Sequence, residues 1–203
     1  MSDLTLGYYD ENAEDFIAGT VDVDVSTLQK KFLENILQNG SILDLGCGSG
    51  RDTKSFMQMG YDVTAIDGSS ELCEMASAYA GCEVRCMDFF QIDDVNRFDG
   101  IWACASVLHV ESKRIPELLS ILERALRPGG AIYLSFKYGS FEGERDGRYF
   151  TDLDEEGFGK VFDEYVRIYG KKLLIKDEWT SRDVRRDREV NWLNEILRKC
   201  KEV

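Results

Sequence analysis

Three acids, a run of glycines and one histidine carry the chemistry open to this sequence. Gly46-Cys47-Gly48-Ser49-Gly50 alternates glycine with small residues. That spacing brings bare backbone against a nucleotide-like ligand, because a side chain would forbid positive φ angles or hold the ligand away. Asp44 sits inside the apolar run just before the turn, where an unpaired charge is costly, so it is expected to face the turn and order its amides, or the ligand through water. Asp67 lies about 20 residues beyond the glycines, where one carboxylate can accept both vicinal hydroxyls of a ribose. Asp88, followed by Phe89-Phe90, joins an acceptor for an adenine amino group to a ring that can stack on a base. Asp88 could equally cap a helix or turn. His109, the only histidine, has a side chain whose ordinary pKa suits proton removal near neutrality. A histidine packed beneath the following helix, or one that positions a substrate, is an even match for that reading.

These residues need elements to hold them. Ile42, Leu43 and Leu45 read as a short buried strand, and an amphipathic helix begins at Arg51. Arg51 stands where the G-x-G-x-x-G dinucleotide fingerprint has its third glycine. A second strand spans residues 61–67, followed by a helix over Leu72–Tyr79 capped by Ser69 or Ser70. A third strand covers 82–88, and a fourth 101–110 with small residues near its end. Lys113–Leu126 is a helix broken by Arg127-Pro128-Gly129-Gly130, and a fifth strand spans 131–138. Residues 139–150 read as a long charged loop, and a helix begins at Thr151-Asp152-Leu153-Asp154. Ahead of the glycines lie two helical patterns, one with Tyr8 and Tyr9 and one opening at Ser26 and ending before Asn39-Gly40. Residues 20–26 between them form an extended crossing or part of a lid. The segment 171–200 fits two strands joined by a loop bearing Arg182, Arg185, Arg186 and Arg188, although 191–200 also suits a helix.

Composition narrows the function. The 203 residues are 43% hydrophobic, enough for one core and most simply one domain over 1–203, with 1–40 a helical lid region and 41–203 an α/β core. A net charge of −13 disfavours nucleic acid, whose binding rests on basic contacts. No apolar stretch approaches the roughly 20 residues of a membrane span. The six cysteines form no C-x-x-C pair and read as reduced core residues of a cytoplasmic protein; no metal site is expected.

The ordered set LDLGCGSGRD, VTAIDGS, MDFF, FDGIWACASVLHV and LRPGG resembles the motifs of class I S-adenosylmethionine-dependent methyltransferases, strongly over residues 40–137. Within that class the chain is similar to small bacterial enzymes of the tellurite-resistance type. The resemblance implies a Rossmann-like, seven-stranded, mostly parallel sheet with helices on both faces and the last strand antiparallel, hence a β-hairpin at 172–200. It implies S-adenosyl-L-methionine as cofactor. Asp44, Gly46, Cys47, Gly48 and Gly50 would lie under the methionine part, Asp67 and Gly68 at the ribose, Asp88 and Phe89 at the adenine, and Cys104 at the amino-acid end. Tyr8 or Tyr9, with Tyr8 the candidate for the cofactor, would belong to an N-terminal lid, or else the two tyrosines dock that helix to the core. The chain lacks an N-P-P-Y-type motif and paired catalytic cysteines, which argues against nucleic-acid bases as acceptors.

The expected reaction is methyl transfer to a small molecule by in-line displacement, which requires alignment more than a dedicated base. Lys137, Tyr138, Arg145 and Arg148 border the expected acceptor pocket and suit an anionic substrate; Arg145 and Arg148 could instead salt-bridge within the acidic surface. A monomer or weak homodimer is expected. The alternatives are a non-catalytic S-adenosylmethionine-binding regulatory protein and an NAD-dependent oxidoreductase.

Overall fold

The computed structural model describes residues 2–185 and 188–201; Arg186 lies outside them. The chain builds a seven-stranded sheet outward from β1 (Ser41–Leu45), in the order β3-β2-β1-β4-β5-β9-β8. β2 (Asp62–Asp67), β3 (Val84–Cys86), β4 (Phe98–Ala103) and β5 (Leu126–Lys137) run parallel to β1. β8 (Leu173–Arg182) runs the same way, and β9 (Asn191–Lys199) lies between β5 and β8, antiparallel to both. Helical propensity at 191–199 yields to pairing on both sides, which gives backbone groups of the strand partners along both edges.

Alternation along the strands assigns their faces. Leu43, Leu45, Ile132, Leu134 and Phe136 join Leu118 and Leu122 of α6 (Ile115–Ala125) and Phe158 of α7 (Glu155–Tyr169) in one core. Ile42, Trp102, Tyr133 and Ile196 turn to the other face, against Phe32 of α3 (Ser26–Leu33) and Phe56 of α4 (Arg51–Gln58). There Trp102 stacks on Tyr133 with centroids 4.2 Å apart. This alternation places Asp44 on the α4 side of β1. The remaining helices are α1 (Asp3–Glu11), α2 (Ala13–Ala18) and α5 (Ser70–Ala80). Among the described residues no helix is long and apolar enough to cross a membrane.

Several boundaries differ from the sequence expectation. β4 ends at Ala103 and does not run on to Val110. Ala105 adopts φ 55°, its amide donates to Ser135 Oγ, and the chain curls into a 3-10 turn over Val107–His109. The expected loop at 139–150 contains a hairpin, β6 (Glu142–Arg145) with β7 (Arg148–Thr151), closed by Asp146 and Gly147 at φ 52° and 74°. Asp-Gly is the signature of a two-residue turn with both φ positive, so the hairpin was readable in the sequence. α3 opens without a Ser26 cap: the Ser26 amide donates to Asp24 Oδ1, and the helix stops at Leu33, leaving Leu37 in solvent. Residues 23–25 have no regular secondary structure, and Val23 and Val25 line the cavity at the carboxyl ends of the strands. β5 begins earlier than expected, with the Arg-Pro-Gly-Gly turn drawn into an irregular start of the strand.

Candidate functional site

The carboxyl ends of β1, β2, β4 and β5 open into a cavity of about 460 Å³, within the ~300–1,000 Å³ range of small-molecule sites. Its floor is the turn between β1 and α4. Gly46 has φ 73°, and a Cβ there would lie 2.5 Å from Cβ of Ser106. Glycine therefore both permits the turn and leaves the main chain uncovered. The Gly48 amide donates to Asp67 Oδ2 at 2.9 Å, and the Ser69 amide donates to Asp67 Oδ1 at 3.0 Å. Asp67 thus clasps the glycine turn to the end of β2 while retaining acceptor capacity on both oxygens. Burial raises its pKa, opposed by those amides.

Asp44 does not perform that amide-ordering role. Its Oδ2 accepts from the Thr53 hydroxyl at 2.5 Å, in the first turn of α4. Burial, with the Asp52 charge behind it, pushes the Asp44 carboxyl up to about 8, so it is mostly protonated at neutral pH. Asp52 itself accepts from the Trp102 indole, Gln29 and Arg51. This polar knot borders the cavity and had no sequence signal, because Gln29, Asp52 and Trp102 come from three separate elements.

The residues singled out in the sequence divide. Asp44, Gly46, Cys47, Gly48, Asp67, Phe89, Cys104 and His109 line the cavity. Gly50, Gly68, Asp88 and Tyr8 are not among its lining. Asp88 caps the 3-10 turn Phe89–Gln91, accepting from the Phe90 amide in a reciprocal capping box with Gln91; it was the neighbouring Phe89 that the fold buried against the glycine turn. Burial pushes the Cys104 thiol up to about 12.

Tyr9 takes the lining position in place of Tyr8. Its hydroxyl lies 2.9 Å from His109 Nε2. His109 Nδ1 lies 2.7 Å from the Tyr149 carbonyl, which can only accept, so the ring carries its proton on Nδ1 and Nε2 accepts from Tyr9. Burial pushes the His109 pKa down to about 4, with Arg148 and Lys137 adding to the effect, and the imidazole is neutral at pH 7. The contact joins α1 to the 3-10 turn after β4. The Tyr149 amide in turn donates to Thr5 Oγ1 of α1, so helix and hairpin are joined directly.

The basic residues also separate. Arg145 forms a two-pronged pair with Asp152, and the Tyr138 hydroxyl donates to Glu155. Lys137 and Arg148 face the cavity, as do Arg182, Arg185 and Arg188 from the β8–β9 loop. Of these, Arg185 is paired with Asp183.

Residues 42–130 match the model of a methyltransferase domain. Phosphoethanolamine N-methyltransferase 1 of Zea mays is 27% identical over 192 residues, covering 89% of this chain and 36% of that protein. Ubiquinone biosynthesis O-methyltransferase of Xanthomonas oryzae pv. oryzae is 29% identical over 109 residues, 49% of this chain and 44% of that protein. The chain thus spans less than half the length of either relative. A solved structure of Burkholderia thailandensis 1,6-didemethyltoxoflavin-N1-methyltransferase, with 1,6-didemethyltoxoflavin and S-adenosylhomocysteine bound, aligns with a TM-score of 0.74 at 19% identity, over 97% of this chain and 87% of that one. The fold is therefore the Rossmann-like methyltransferase fold.

Proposed function

We propose that this chain, whose residues 42–130 match a methyltransferase-domain model, transfers a methyl group from S-adenosyl-L-methionine to a small-molecule acceptor. The observation that carries this is the clasp between Gly48 and Asp67, which sets a buried carboxylate beside uncovered main chain at the ends of β1 and β2. A nucleoside that ends in an amino acid fits that cradle: hydroxyls for Asp67, a base for the Phe89 wall, and the amino-acid end towards Gly46 and Cys104. When bound, S-adenosylmethionine supplies an electrophilic methyl on a sulfonium with an excellent leaving group.

The protein then has to align the acceptor and keep water out. Tyr9 and His109 close the acceptor side by pinning α1 to the turn after β4. Held neutral, His109 is a weak base, so the pair mainly orients the acceptor; where the acceptor must lose a proton, the Tyr9 oxygen can take it while passing its own to His109 Nε2. Asp88 acts through the turn that seats Phe89. The finer likeness to tellurite-resistance-type enzymes rests on the sequence motifs and would add metalloid oxyanions to the acceptors worth assaying.

Calorimetry with S-adenosylhomocysteine and with NAD, followed by transfer of labelled methyl into a metabolite extract, tests the reading. Binding of NAD in preference to S-adenosylhomocysteine overturns the cofactor assignment. Tight binding with no methyl transferred makes the chain a non-catalytic binder.

A further inference from the structure

Lys137 and Arg148 are two cations at the cavity wall that form no ion pair among the described residues; the carboxylate acting on Lys137, Asp152, is itself paired with Arg145. Lys137 ends β5, half-buried, with its ammonium 3.8 Å from the centroid of the Phe150 ring. Arg148 opens β7, and its guanidinium carbon lies 4.3 Å from the Tyr8 ring centroid and 5.2 Å from that of Phe150. Its Nε is buried without a hydrogen-bond partner. Among the described residues neither side chain forms an ion pair, although the chain as a whole carries −13. In a protein this acidic, two partly buried and unpaired cations on one wall are an arrangement that a ligand completes. Cation–π contacts hold each group in place without neutralising it.

We propose that the acceptor is a small molecule bearing an oxyanion, a carboxylate or a phosphate, which Lys137 and Arg148 hold so that its nucleophilic atom meets the methyl beside Tyr9. The inference rests on the methyl-transfer reading of the same site. In that reaction the acceptor atom bonds to the methyl carbon as the carbon–sulfur bond breaks. The electron pair stays on sulfur, giving a neutral thioether, and the acceptor's proton leaves through Tyr9 or to water. The arrangement is selective in two ways. Lys137 ends β5, which β1 and β4 separate from β2 with Asp67 at its end, so an anion held by Lys137 does not compete for the cofactor's sugar. They also face His109 and help keep it uncharged; an anion between them offsets that push and makes the imidazole a better proton acceptor only when substrate is present. The exposed Arg182 and Arg188 at the mouth extend the same positive field outward and favour capture of an anion.

His109 is the only histidine, so its imidazole nitrogens give unique NMR signals. Protein loaded with S-adenosylhomocysteine, its binding measured separately by calorimetry, is titrated with inorganic phosphate and with acetate. At least one anion should shift the imidazole signals along a saturable curve, and which one does so tells phosphate from carboxylate. Lys137→Met and Arg148→Met should each weaken that binding by about tenfold or more, as expected for loss of a charge-assisted hydrogen bond. Arg148→Lys should restore part of it, and S-adenosylhomocysteine affinity serves as the folding control. No saturable shift with either anion, or equal shifts in the methionine variants, overturns the proposal. With labelled S-adenosylmethionine and a metabolite extract, product retained on an anion exchanger supports it and label confined to the unretained fraction overturns it. Failure to bind S-adenosylhomocysteine sinks the methyl-transfer reading instead, and is seen before any anion is added.

Discussion

The Tyr9 hydroxyl and His109 Nε2 stand 2.9 Å apart although 100 residues separate them in the chain. Their contact decides which face of α1 looks into the cavity, and it fixes the tautomer of the histidine through the Tyr149 carbonyl behind it. Tyr9→Phe removes the donor and leaves a buried acceptor unsatisfied, which costs about 1–3 kcal/mol of stability. Methyl transfer should fall further than S-adenosylhomocysteine affinity, because the acceptor side loses its clasp while the glycine turn is untouched. Comparing single-turnover rates with calorimetric affinities checks this; equal losses in both would contradict it.

The same histidine sets an acid limit. Its folded pKa of about 4 lies below its ordinary 6.5, so the unfolded chain binds the proton more readily. The associated stability is present above pH 6.5 and is lost as pH falls towards 4, to the extent of about 3 kcal/mol at most. His109→Gln should flatten that part of the stability–pH curve, measured by urea unfolding at a series of pH values.

Glu195 acts at the other end of the scale. It lies fully buried in β9, directly across from Glu178 on β8. Burial, then the neighbouring Glu178, pushes its carboxyl up to about 9 from an ordinary 4.5. The folded state therefore holds this proton more tightly, and the stability it confers is full below pH 4.5 and lost as pH rises through 9. Glu195→Gln should raise the melting temperature at pH 9 relative to the parent and change it little at pH 5. Part of the alkaline loss should remain, because Asp44, raised to about 8, works in the same direction.

Asp67→Ala takes away both the acceptor proposed for the ligand and the partner of the Gly48 amide. S-adenosylhomocysteine affinity should drop by about 1–3 kcal/mol through the lost charge-assisted bond. Asp67→Asn, which keeps a carbonyl oxygen, should lose less. Calorimetry on both variants decides; unchanged binding in the alanine variant removes Asp67 from the site.

Gly46→Ala should be worse than its size suggests. The positive φ alone costs a residue with a Cβ about 1–2 kcal/mol, and the new methyl would meet Ser106 at 2.5 Å. Thermal melts should show reduced stability, and cofactor affinity should fall as the turn shifts. Gly159→Ala, where nothing lies within 4 Å of the added carbon, is the control and should do neither.

The sequence by itself determined the local units: a buried strand at Ile42–Leu45, a glycine turn that only glycine could make at Gly46, a strand ending in Asp67, and helix α6 with its apolar stripe. Each follows from residue type and near-neighbour spacing, which act within one element. The hairpin closed by Asp146-Gly147 is equally local, its turn residues set among the charges of 142–148. What only the tertiary structure decided were relations between elements: Tyr9 rather than Tyr8 at His109, Asp67 rather than Asp44 on the turn amide, and Asp88 as a cap; β9 as an antiparallel strand was implied by the resemblance, while its local propensity suited a helix as well. Those outcomes depend on which groups burial and strand pairing bring within about 3 Å of one another, and a linear pattern carries no term for contacts across 100 residues.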